Sequence, residues 1–184
     1  MLRLLTFFVF FVFCYNTIFC DNLDNSIYNL NTVYTNQNGS SLQLKDLRGD
    51  IKIVSMIYTR CKTTCPIIIE NMKKIFNLLH SDYKDKVHFV LVSLDPNRDT
   101  VQDLVEFGNK KGLDFRFWSL LTGSTDNVLQ LAVSLGIKYK KELDGNYVHS
   151  NLIIVLDKNG NIRYSHSGLD DNLLKVLKII YNIV

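Results

Sequence analysis

The sequence predicts an α/β fold, a three-layer sandwich in which helices cover a mixed sheet that carries a β-hairpin extension at its N-terminal side. Two near-continuous apolar runs of strand length, residues 51–58 and 87–94, alternate with stretches whose apolar residues recur at helical spacing. An Asn-Gly turn between short apolar runs near the C-terminal end adds an antiparallel pair, which makes the sheet mixed. The length, 184 residues, suits one core, and no repeat or second core divides it.

In chain order, residues 32–34 and 41–44 flank Gln37-Asn38-Gly39, which reads as the N-terminal hairpin. Residues 51–58 form a buried strand. In 67–79, Ile68, Met72, Ile75 or Phe76, and Leu79 share one helical face. After the strand 87–94, Thr100 and Asp103 make a capping-box start for a helix whose inner face is Val101, Leu104, Val105 and Phe107. A short strand is expected over 115–121, followed by a helix marked by Val128, Leu129, Leu131, Ala132 and Leu135. The approach Gly145-Asn146-Tyr147-Val148 reads as loop. Residues 151–156 and 162–164 then surround a tight turn at Lys158-Asn159-Gly160, with Asn159-Gly160 as its two central residues. The last helix carries Leu173, Leu174, Leu177, Ile180 and Tyr181 on one stripe and is capped by Asp170 or Asp171.

Composition narrows the function classes. With 47% hydrophobic residues and only 9 Gly and 2 Pro, the chain is neither disordered nor collagenous. Lys and Arg number 21 against 18 Asp and Glu, with no block of like charge, so nucleic acid is a poor partner. The apolar run 4–19, entered by Arg3 and followed by Asp21 and Asp24, reads as a signal peptide or membrane anchor over residues 1–20 that sends the remainder across a membrane. An Asn-rich stretch, 21–31, reads as a loosely ordered tether, leaving 32–184 as the folded domain. No GxxxxGK[ST], GxGxxG or HExxH motif supports nucleotide or zinc-protease chemistry.

The chemistry concentrates in Tyr58-Thr59-Arg60-Cys61-Lys62-Thr63-Thr64-Cys65-Pro66, where a buried strand ends and a helix begins. Reactive groups of open α/β sheets gather beyond the carboxyl ends of strands, and a helix N-terminus stabilises a thiolate. A structural disulfide here would close a very short loop and contribute little. Among the histidines, His149 stands just before the strand 151–156; two thiolates and one imidazole make a soft, three-coordinate set suited to Cu(I), whereas zinc would demand a fourth ligand. His80 and His88 read as structural. His166 faces Ile153 across its hairpin, ~13 Å along the strand from His149, too far for one metal to hold both.

Cys61-x-x-x-Cys65-Pro66, then Ser93-Leu94-Asp95-Pro96-x-Arg98-Asp99-Thr100, then His149-Ser150 before an apolar strand resemble, in order and spacing, the Sco/SenC family of copper proteins. The resemblance implies a thioredoxin-like fold and copper held by Cys61, Cys65 and His149, with Asp95 in a nearby loop acting from behind the ligands. It also implies a place on the outer face of the bacterial cytoplasmic membrane, the periplasmic side, or of the mitochondrial inner membrane. The implied partner is the copper-bearing subunit of cytochrome c oxidase or another exported cuproprotein. A leader lacking an Arg- and Ser-rich amphipathic helix favours the bacterial placement. The chain departs from many members in having Ile57-Tyr58-Thr59-Arg60 where a Gly-Tyr-Thr-His lead-in is usual, and Val148 where Asp precedes the histidine. The alternative is a thiol-disulfide oxidoreductase acting on exported proteins. A general reductase of the thioredoxin type would use Cys-x-x-Cys and a proline near the residue facing the dithiol, and this chain has only Pro66 and Pro96.

Overall fold

The computed structural model describes residues 25–184, so the leader expected over 1–20 lies outside the described residues. Where a loose tether was expected, residues from 25 onward are docked. Ser26 caps a 3-10 turn, Ile27–Asn29, whose Ile27 and Tyr28 are buried and whose Ile27 N–H donates to the Gly160 carbonyl at 3.1 Å. Two large apolar side chains within an Asn-rich stretch are enough to dock it.

The hairpin of β1 (Val33–Asn36) and β2 (Ser41–Gln43) follows, closed by Gly39 at φ 77°, the left-handed value its turn requires. β3 (Ile51–Ile57) is buried along its whole length and runs into α1 (Thr64–Leu78), whose Ile68, Met72 and Ile75 face inward. A short helix, α2 (Ser81–Lys84), precedes β4 (Val87–Ser93). Thr100 and Asp103 form the expected reciprocal cap of α3 (Val101–Lys110). β5 (Trp118–Gly123) starts later than the apolar run suggests, because Asp114 accepts from the Phe117 and Trp118 N–H groups through its carbonyl and bends residues 115–117 into a turn. α4 (Thr125–Ser134) leads to a hairpin of β6 (Tyr139–Lys141) and β7 (Tyr147–His149); β8 (Leu152–Leu156), β9 (Ile162–Ser167) and α5 (Leu174–Ile183) complete the chain.

Seven strands lie in the order β2-β1-β5-β4-β3-β8-β9, parallel at β3-β4-β5 and antiparallel elsewhere, which is the expected mixed sheet. Side chains of alternating strand residues build two cores. One packs Ile53, Phe89, Leu91, Leu120 and Val155 against α1, α3 and α5; the other packs Val54, Met56, Val90, Val92 and Ile154 against α4 and the N-terminal turn.

Three readings are corrected. Residues 145–148 are not all loop: Tyr147 and Val148 belong to β7, paired with β6 around a turn closed by Gly145 at φ 82°. The C-terminal hairpin turn has three residues, since Asp157 pairs with Asn161, and a bulge in β9 then restores the register that sets His166 opposite Ile153. Neither Asp170 nor Asp171 caps α5, whose N-cap is Leu173; its buried stripe is Leu173, Val176, Leu177 and Ile180, with Leu174 75% exposed.

One polar group in the sheet has a consequence for acid stability. His88 on β4 pairs in register with Lys52 of β3, its Nε2 lies 2.8 Å from Ser119 Oγ on β5, and Asp50 stands beside Lys52. Burial, reinforced by Lys52 and opposed by Asp50, pulls the His88 pKa down to about 4. A depressed histidine favours the folded state while both states are neutral. That advantage is complete above the unfolded pKa near 6.5 and is lost as pH falls to about 4, at most about 3 kcal/mol. Denaturant titration of His88→Gln against the parent should therefore show a flatter stability profile between pH 6.5 and 4; parallel profiles would contradict the assignment.

Candidate metal centre

Three segments leave the same edge of the sheet. The first follows β3 and carries both cysteines; the second follows β4 and carries Asp95, Arg98 and Asp99; the third is the β6–β7 hairpin leading into β8. The antiparallel register Val54↔Ile154 explains why the third meets the first: continued four residues, it sets Ser150 level with Tyr58, just before the cysteines.

Cys65 is the second residue of α1 and Pro66 the third, so the helix opens directly beneath Cys61. The Cys65 N–H donates to Cys61 Sγ at 3.4 Å, and the Thr63 and Thr64 hydroxyls lie 3.8 and 3.9 Å from the same sulfur. The Cys61 thiol is held far below the ordinary range. The leading cause is its hydrogen bond with the Cys65 side chain, which outweighs burial and is helped by His149 and by the Cys65 and Thr63 backbone. Cys65 is pushed the other way, because its proton is held in the bond to Cys61 and because it is fully buried. The two sulfurs therefore titrate as a coupled pair in which Cys61 is the more acidic member.

His149 reaches Cys65 Sγ with Nε2 at 3.7 Å, while its Nδ1 lies 3.1 Å from the Ser150 carbonyl oxygen. A carbonyl only accepts, so Nδ1 carries a proton, and Nε2 is the ring nitrogen directed at the sulfur. The alternation of β7 turns Tyr147 and His149 inward and leaves Val148 64% exposed. Tyr58 packs against both inward rings, at centroid distances of 5.4 and 6.3 Å.

The structure thus brings Cys61, Cys65 and His149 together, the cysteines as free thiols. Among the described residues no group of three or more His, Cys, Asp or Glu side chains is arranged to hold a metal ion without some adjustment. The other histidines stay outside: His80 is exposed and caps α2, His88 is in the sheet, and His166 bonds the Asp170 carbonyl at 3.0 Å.

Sequence reasoning placed Asp95 behind the site but missed what it grips. Buried Asp95 accepts from Arg98 Nε and, at 3.1 Å, from Tyr147 Oη, with Lys141 Nζ at 3.7 Å. Arg98 also donates to the carbonyl of Gly145 at the hairpin turn, where the left-handed φ of 82° favours glycine and a Cβ would crowd Arg98 Nη1 at 3.0 Å. Asp99, equally buried, accepts from the Thr59 N–H (3.0 Å), Thr59 Oγ1 (2.6 Å), Arg60 Nη1 (3.2 Å) and Ser93 Oγ (2.6 Å). One short segment therefore fastens the histidine hairpin with Asp95 and the cysteine loop with Asp99. Asp144-Gly145, a hairpin dipeptide, was the overlooked signal for β6–β7.

An α/β sandwich with a dithiol at the start of its first long helix, faced by an imidazole from the end of the β6–β7 hairpin, defines a thioredoxin-like domain that gathers soft donors at one edge. A sequence profile described as SCO1/SenC matches residues 25–181, and the chain belongs to that family. The SCO1 protein homolog of Bacillus subtilis is 25% identical over 141 residues, 75% of this chain and 72% of its own length. The SCO1/SenC family lipoprotein from Bacillus anthracis superposes with TM-score 0.76 at 27% identity, over 85% of this chain and 95% of that one. Copper-bound ScoI of Arabidopsis thaliana shares the fold, with TM-score 0.73 at 24% identity over 82% and 96% of the two chains.

Asp95→Asn should lower stability by about 2 kcal/mol, the scale of a charge-assisted buried hydrogen bond, and speed amide exchange selectively across residues 139–149. Unchanged protection of that hairpin would refute the fastening role.

Proposed function

We propose that the chain is a copper chaperone that holds one Cu(I) on Cys61 Sγ, Cys65 Sγ and His149 Nε2 and hands it to an exported acceptor. The observation that carries the reading is the 3.7 Å between Cys65 Sγ and Nε2 of His149. A metal bonded to sulfur at about 2.3 Å and to imidazole at about 2.0 Å, with a trigonal angle, spans its two donors by about 3.7 Å. Soft thiolates and an imidazole in a three-donor set match Cu(I). The contacts that lower the Cys61 thiol favour its anion, the form that binds a metal, and uptake of the ion displaces the proton of the pair.

Family membership supports the copper-bearing subunit of cytochrome c oxidase as the recipient, and copper sits in the fold relative from Arabidopsis. The Bacillus anthracis relative is a lipoprotein, which supports a membrane-associated bacterial protein facing the periplasmic side. In that reading residues 1–20 are the leader or anchor. Cys65 is sealed from solvent while Cys61 and His149 keep edges of 7% and 8%, so an acceptor approaches either of those donors first.

The depressed Cys61 thiol also favours a second reading, thiol-disulfide exchange with an exported partner. One experiment separates them. Protein reconstituted under reducing conditions should carry about one copper per chain, and His149→Ala should weaken binding at least about tenfold. Undiminished affinity in that variant, with partner reduction abolished by Cys61→Ser, would favour the oxidoreductase instead.

A further inference from the structure

Beside Cys61 the surface opens into a cleft of about 340 Å³ floored by Phe107 and walled by Arg60, Lys62, Lys110 and Lys111. Arg60 is neutralised by Asp99 at 3.2 Å and Asp103 at 3.8 Å. Lys62, Lys110 and Lys111 have no carboxylate within ion-pair distance among the described residues, although they come from two separate elements. Lys110 and Lys111 at the C-terminal turn of α3 suit the helix dipole, but that does not account for Lys62, which converges on them from the cysteine loop. Three ammonium groups without a carboxylate, one of them, Lys111, 5.9 Å from the centroid of the Phe107 ring, leave a net positive field beside Cys61, at the point where a partner must touch it.

We infer that this cleft receives an acidic, cysteine-bearing segment of a partner protein, whose carboxylates meet Lys62, Lys110 and Lys111 while its sulfur meets Cys61. The inference names the partner chemistry for the site of the preceding reading, and it holds for either metal transfer or thiol exchange, since both require a partner sulfur at Cys61. Rim charges of this kind act mainly on the rate of encounter and lose their effect in salt.

The test uses metal-free, reduced protein, so it stands apart from copper binding. Two disulfide-linked peptide dimers serve as probes, one with four Asp or Glu residues around its cysteine and one with Asn or Gln in their place. Cys61 thiolate attacks the peptide disulfide and releases one peptide thiolate, which takes up a proton. Cys65 sulfur then displaces the second, losing its own proton, so that the protein dithiol is oxidised to Cys61–Cys65 disulfide and the peptide disulfide is reduced to two thiols. At low salt the acidic dimer should react about tenfold faster than the neutral one, and the ratio should fall towards one in 0.5 M salt. In the Lys62→Gln, Lys110→Gln, Lys111→Gln triple variant the ratio should be near one at all salt concentrations. Taking the ratio cancels any change in Cys61 reactivity common to both probes. Equal rates in the parent, a preference that survives the triple substitution, or failure to reduce either peptide would each overturn the inference.

Discussion

The geometry of the site depends on two buried carboxylates four residues apart. Asp95 and Asp99 lie in the segment after β4, both without solvent exposure, and each is fastened to a different wall of the site. Asp99 takes four hydrogen bonds from the cysteine approach and from Ser93, and Asp95 takes the hairpin's Tyr147 and its own Arg98. A buried carboxylate with satisfied partners is costly to disturb, because the carboxylate itself and the buried Ser93 hydroxyl would be left unpaired out of reach of water. The spacing of cysteines and histidine is thereby referred to one rigid strand end instead of to two independent loops.

The same arrangement keeps the negative charge of the carboxylates away from the sulfurs. Arg98, Lys141 and Arg60 answer Asp95 and Asp99, and the charge that Cys61 meets is the positive end of α1 with its free N–H groups. Cys65 keeps the shared proton in a dry position next to the His149 ring. In the proposed copper-binding role, a soft cation would take the place of the proton held by the two sulfurs, between these carboxylate-fastened walls.

Local pattern made much of this legible. The apolar runs marked β3 and β4, Thr100 and Asp103 marked the start of α3, and the strand-to-helix junction marked the cysteines as the chemical centre. That His149 and His166 stand apart along the sheet was readable too, although the turn that argued it was one residue too short and a bulge in β9 made up the difference. What stayed hidden was non-local. Nothing in the spacing of Asp95 and Tyr147, fifty-two residues apart, shows that they touch, and the docking of Ile27 and Tyr28 on the Gly160 turn depends on a partner surface formed far along the chain. At the last helix, an acidic residue near the start suggested a cap, yet the buried stripe that decides its register begins with Leu173 packed in the core.

X-ray absorption at the copper edge of the Cu(I)-loaded protein tests the central claim most directly, because it reads the ligand atoms themselves. The account predicts a three-coordinate site with two sulfur donors and one imidazole nitrogen. A site built of sulfur alone, or one whose nitrogen signal persists unchanged in His149→Ala, would contradict it.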